Sequence, residues 1–246
     1  MKTICLFLFA AISALQIHAQ GTAFLMKGGM TIGTQRWNGT DGSLALLAYH
    51  GTAAAEFLGG WKGEGAKLRQ SSFGLQGGYH LKGSAVRVRF IDPANPDNVV
   101  RDQLRNEFHN ASALLYAKGA YKTNAQSEVY YLMGLRVDYT FKYAMLMQGI
   151  DRYVNKFNYG VTLGGGFTYY IPNSRLGVFI EASISPDISR QIFVPAGIPV
   201  VYQIDGNTYS YPSQELKIHN LIFEVSLGFK LLPPVYVADP EDVEVE

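Results

Sequence analysis

The side chains equipped for chemistry in this chain are few. Beyond residue 20 the histidines are His50, His80, His109 and His219, and none stands in the H-x-x-x-H spacing that sets two imidazoles on one helical face for zinc. The single cysteine, Cys5, lies within the first ten residues, so no disulfide framework and no thiolate metal site is expected. No Gly-x-Ser-x-Gly elbow occurs. His109 and Ser112 lie close in sequence, but three residues apart they fall on opposite faces of a strand. The runs Gly28-Gly29, Gly77-Gly78 and Gly164-Gly165-Gly166 lack the Lys-Ser/Thr of a phosphate loop and are read as bends or close-packing points. The expectation is therefore no catalytic residue, no cofactor and no metal. A formal charge of +1 with no basic cluster also gives no footprint for a nucleic-acid partner.

What must position the remaining charges is a strict two-residue period. From 128 to 142 the odd positions read Val129, Tyr131, Met133, Leu135, Val137, Tyr139 and Phe141, against Glu128, Tyr130, Leu132, Gly134, Arg136, Asp138, Thr140 and Lys142. Alternate residues share a strand face, so one face is apolar and the other mostly polar or small. The split recurs in 158–171, 176–185 and 220–230, and more softly in 24–33, 44–58, 71–89 and 108–121, which makes eight strands. The polar face gathers Lys27, His50, Glu56, His80, Lys82, Lys118, Glu128, Arg136, Asp138, Glu181, Glu224 and Lys230. Mixed signs in a narrow enclosure imply interlocked ion pairs, because a buried unpaired charge is costly. The competing reading is a proton or ion path.

Strand length discriminates further. These stretches run past ten residues, where ordinary strands have about five or six, and a tilted membrane-crossing strand needs about 9–11. Aromatic residues fall near the ends of apolar faces (Tyr131, Phe141, Phe157, Tyr169), as interfacial girdles require. The connections 34–43, 90–107 and 143–156, and the one running from Ser189 to Glu215, are long. Those at 122–127 and 172–174 are short, and only 59–70 breaks that alternation. Long outer loops, short periplasmic turns and an even strand number describe an outer-membrane barrel. A soluble secreted barrel or sandwich is the alternative. Aromatics at 13%, charged residues at 17% and 26 glycines suit either.

The termini read differently. Lys2, an apolar run over 4–15 and Ala19 form a secretory signal layout, so 1–19 is assigned to export, 20–231 to the barrel and 232–246 to an acidic periplasmic tail. The tail carries Asp239, Glu241, Asp242, Glu244 and Glu246 with no base, a composition that serves as an interaction segment. Within the long last connection, β-rich runs on either side of Asp205-Gly206 signal a hairpin.

The stretches KGGMTIGTQRWNG (27–39), AYHG (48–51), GYHLKGSA (78–85), NYGVTLGGGF (158–167) and NLIFEVSLGFKLL (220–232) resemble the PorT-like outer-membrane β-barrel family of Bacteroidetes. The resemblance implies an eight-stranded, antiparallel, closed, up-and-down transmembrane barrel with a filled polar lumen. It also implies a place in a protein secretion or assembly apparatus, a role that shared fold alone does not transfer. The expected function is structural or interaction-mediating, without catalysis. Its partners are outer-membrane lipid, a protein or glycan at the Ser189 to Glu215 loop, and a periplasmic partner at the acidic tail. A small-solute channel and a rim-active lipid or peptide hydrolase remain as alternatives.

Overall fold

In β5 the exposed and buried residues alternate one by one: Leu135 is 65% exposed and Arg136 beside it 3%. An alternation this complete needs one surround for even positions and another for odd ones, and sheet closure provides both. The computed structural model describes residues 21–37, 44–63, 68–91, 99–145, 151–204, 207–212 and 214–234, with backbone alone at 37, 86–91, 99–104, 200–204 and 207–212. The strands are β1 (Gly21–Trp37), β2 (Leu44–Lys62), β3 (Arg69–Ile91), β4 (Val99–Asn124), β5 (Ser127–Ala144), β6 (Phe157–Tyr170), β7 (Leu176–Pro186), β8 (Ile192–Val194), β9 (Pro199–Ile204), β10 (Asn207–Pro212) and β11 (Leu216–Leu231).

Each of β1 to β7 pairs with the next, β7 pairs with β11, and β11 returns to β1 through a register running from Phe24↔Leu231 to Trp37↔Ile218. All these pairings are antiparallel. Eight strands thus close an up-and-down cylinder with no free edge in its wall, the fold the alternation implies. Eight is also the number that leaves an interior just wide enough for side chains.

The structure lengthens several elements. The connections expected at 59–70 and 90–107 are largely strand, because β2, β3 and β4 run on to Lys62, Arg69, Ile91 and Val99. The second connection shrinks to 63–68, which removes the exception to short lower turns. β3 and β4 stay paired up to Ile91↔Val99, well above Leu44↔Ala85 and Glu107↔Ala144, where their outer neighbours stop. The lower turns are tight. Asn124 Oδ1 accepts the Gln126 amide at 2.9 Å in the β4–β5 turn. Asn173 takes φ 57° in the β6–β7 turn, a left-handed conformation asparagine tolerates. The hairpin signal at Asp205-Gly206 is borne out by β9 and β10, which pair from Pro199↔Pro212 to Ile204↔Asn207 as a separate two-stranded sheet. The signal segment 1–19 and the tail beyond 234 lie outside the described residues.

Candidate functional site: the lumen and the barrel mouth

Every residue assigned to the polar face from the sequence turns inward. At the lower end, Glu56 accepts from Ser72 at 2.9 Å and from Lys118 and Lys230 at 3.3 Å each. Glu128 lies 3.7 and 3.5 Å from the same two ammonium groups. Lys27 pairs with Glu181, whose second oxygen accepts from the Tyr130 hydroxyl at 2.9 Å. At mid-height His50 and His80 stack 5.4 Å apart. His80 Nδ1 meets Glu224 at 2.5 Å, while His50 bridges Thr31 at 3.0 Å and Ser226 at 2.8 Å. Higher up, Lys82, Ser112 and Arg136 converge on Asp138, and Arg136 also pairs with Asp187.

The five cations (Lys27, Lys82, Lys118, Arg136, Lys230) thus interlock with Glu56, Glu128, Asp138, Glu181 and Asp187, and a sixth carboxylate, Glu224, is held by His80. Pairing is what makes such burial tolerable. Two lumen cavities of about 10 Å³ each, sharing Lys27 and Gln76, leave room for a single water molecule apiece. A solute has no way through.

Glycine makes this filling possible. Three inward glycines stand directly across the ladder from inward aromatic rings: Gly74 from Tyr116, Gly166 from Tyr130 and Gly228 from Phe179. A Cβ at Gly74 would strike the Tyr116 ring. One at Gly166 would lie 2.6 Å from the Tyr130 hydroxyl, and one at Gly228 2.5 Å from Phe179 Cζ. Tyr116, Tyr130 and Phe179 are rings that charge patterning does not announce, and each inward glycine marks where one lies.

Two side chains escaped the sequence reading. Asp187 and Gln191 lie beyond the alternating stretch 176–185, yet both are buried in the upper lumen. Asn220 donates to Asp187 at 2.8 Å and to Gln191 at 3.0 Å, and Gln191 donates to Thr140 at 3.3 Å. Above this layer the filling turns apolar. β8 pairs with β11 from Leu216↔Val194 to Ile218↔Ile192, taking the flank that β7 leaves above Pro186. Phe108, Ile192, Val194 and Ile218 form a buried cluster there, with Tyr143, Tyr153 and Val154 packed against it. The mouth is sealed by hydrocarbon.

The outer face is apolar around the cylinder, with Met26, Leu47, Leu75, Leu115, Leu135, Leu163, Ile180 and Leu227 all exposed. Aromatics band both ends. Tyr121 and Tyr131 pair below, ring centroids 6.3 Å apart, and Tyr139 and Phe157 pair above at 5.0 Å. His109 belongs to the upper band rather than to a reactive pair. Its Nδ1 meets the Tyr79 hydroxyl at 2.7 Å on the outer face, and Ser112 is bound to Asp138 inside. A register shift between His109 and Asn110 flips the β5 phase, so Lys142, inward by simple alternation, stands opposite outward His109. Among the described residues no group of His, Cys, Asp and Glu could hold a metal ion.

No family model and no curated protein matches the chain. Among solved structures it is similar to the outer membrane protease OmpT from Escherichia coli, at 10% identity and TM-score 0.40, over 87% of this chain and 97% of that one. It is also similar to Ail, the attachment invasion locus protein of Yersinia pestis, in complex with a heparin analogue, at 10% identity and TM-score 0.34, over 86% and 100%. The Escherichia coli outer membrane protein W follows at 15% identity and TM-score 0.29, over 87% and 100%. These proteins share a broad architecture with the chain, and the barrel assignment rests on the closed ladder itself.

Proposed function

We propose that the chain is an outer-membrane barrel whose lumen is structural filling and whose function is carried by the sealed, elaborated mouth, as a scaffold that presents its loop-side elements to a protein or glycan partner. The observation that carries this reading is the division of the last connection. β8 is spent on the apolar seal, while β9 and β10 pair with each other and, among the described residues, with nothing else. A two-stranded ribbon offers unpaired backbone edges, the feature a partner strand uses. Deleting residues 200–211 should leave the barrel folded, with its heat-modifiable gel mobility intact, and should abolish partner binding. Loss of that mobility would make the hairpin part of the barrel's own architecture.

The outer membrane is the proposed location because an apolar outer face banded by aromatics needs hydrocarbon around it. Catalysis forms no part of the proposal: the lumen carboxylates and histidines are bound to one another rather than aimed at open space. Assignment to the PorT-like barrels, with a place in a secretion apparatus, rests on the sequence motifs. Copurification of the detergent-extracted barrel with other envelope components would support it, and a solitary barrel would speak against it.

A further inference from the structure

Above the upper aromatic band, one sector of the outer wall changes from apolar to basic. Lys142 stands on the outer face through the β5 phase flip, across the ladder from His109. Lys156 sits beside it at the foot of β6, its carbonyl accepting the Thr140 amide at 2.7 Å. Arg105 lies two outward positions above His109 on β4, about 13 Å higher at strand rise, with 59% of its side chain exposed. Its one recorded ion pair, to Glu107 at 3.9 Å, is at the limit of such contacts. Among the described residues neither Lys142 nor Lys156 has a carboxylate partner. Directly below lie exposed rings: Phe141 packs 6.2 Å from the His109 ring and 6.3 Å from the Tyr79 ring, and Phe157 packs 5.0 Å from Tyr139. The same ladder continues upward with Arg89 opposite Arg101 and Arg87 opposite Gln103. Like charges directly opposite one another destabilise a ladder unless a counter-charge lies near.

We infer that this sector of β4, β5 and β6 binds a phosphate-bearing lipid of the leaflet at the loop end of the barrel. The rings hold the acyl chains, and Lys142, Lys156 and Arg105 engage the headgroup phosphates. The aromatic patch distinguishes such a lipid from a free anion: phosphate alone would use the bases and leave the rings idle, whereas an amphiphile uses both tiers. Lysine and arginine at a lipid surface act on anionic headgroups by charge attraction and, for arginine, by bidentate hydrogen bonding. The inference rests on the outer-membrane reading proposed above.

The test uses the full chain in nanodiscs, with a diphosphorylated glycolipid and its dephosphorylated counterpart of identical acyl chains as probes. Retention of each is compared for the native protein and the triple variant Arg105→Gln, Lys142→Gln, Lys156→Gln. Each base removed should weaken retention of the phosphorylated lipid about fivefold, so the triple variant should lose roughly 100-fold. Retention of the dephosphorylated lipid should be equal in both proteins and as weak as the variant's hold on the phosphorylated one. Equal retention of the phosphorylated lipid by both proteins would overturn the inference, as would native protein that does not discriminate the two lipids. Displacement of the lipid by inorganic phosphate beyond the effect of matched ionic strength would point to a free-anion site and overturn it as well. Heat-modifiable mobility, read first on the same samples, separates these outcomes. A chain that never folds into lipid fails there and sinks the outer-membrane reading, whereas a folded chain indifferent to phosphate sinks the lipid site alone.

Discussion

The two faces of the same strands obey opposite rules. On the inner face each side chain is specified by a particular neighbour across the ladder: Gly166 by Tyr130, Gly228 by Phe179, Glu56 by Lys118 and Lys230. On the outer face neighbours impose little. A Cβ on Gly51 would meet nothing within 4 Å, and on Gly77 only a carbonyl oxygen at 3.9 Å. Glycine is therefore required inside and merely tolerated outside. The lesson is that one residue type, at one period, carries a packing constraint on one side of a wall and none on the other.

The largest break in this contrast should come from a lumen charge. Glu56→Ala leaves Lys118 and Lys230 facing each other with Glu128 as their remaining shared carboxylate, and removal of one member of a buried ionic cluster costs about 3–5 kcal/mol. Equilibrium unfolding in lipid vesicles should show that loss. Leu135→Arg should follow at about 2–4 kcal/mol, since it places a cation on the outer face midway between the aromatic bands. A smaller pair sharpens the comparison within one residue type. Gly166→Ala should destabilise by about 1–3 kcal/mol through overpacking against Tyr130, whereas Gly51→Ala should stabilise by up to about 1 kcal/mol, having open space and less backbone entropy to lose. Equal effects of the two glycine changes would mean that the faces are not distinguished by packing.

Strand identity and facing were legible in the sequence because alternation survives in β5, β6, β7 and β11, where bulky apolar residues mark every second position. β1 to β4 read more softly because Ala53, Ala111, Ala113, Gly51 and Gly77 occupy outer positions that lipid-facing Leu or Val would have marked. The upper halves of β3 and β4 escaped because Asp92, Pro93, Pro96 and Asp97 read as a long loop, and a ladder's length depends on pairing that no single strand encodes. Lys142 escaped because a bulge shifts phase without a sequence mark. Asp187 and Gln191 escaped because they enter the lumen from a connection, outside any period. The charged cluster itself was legible as a set of inward residues, but its pairings were not: Lys27–Glu181 and His80–Glu224 join residues 154 and 144 positions apart.

The central claim is that the outer face meets hydrocarbon and the inner face meets only the protein. With Cys5 replaced by serine, a nitroxide carried on Leu135→Cys in reconstituted vesicles reports the surround of the outer face directly. The account predicts frequent collision with lipid-soluble oxygen and little with a water-soluble nickel chelate, because residue 135 projects 65% exposed from the middle of β5. Free access of the chelate, with collision rates like those of a label on an exposed loop, would contradict it and leave a barrel standing in water.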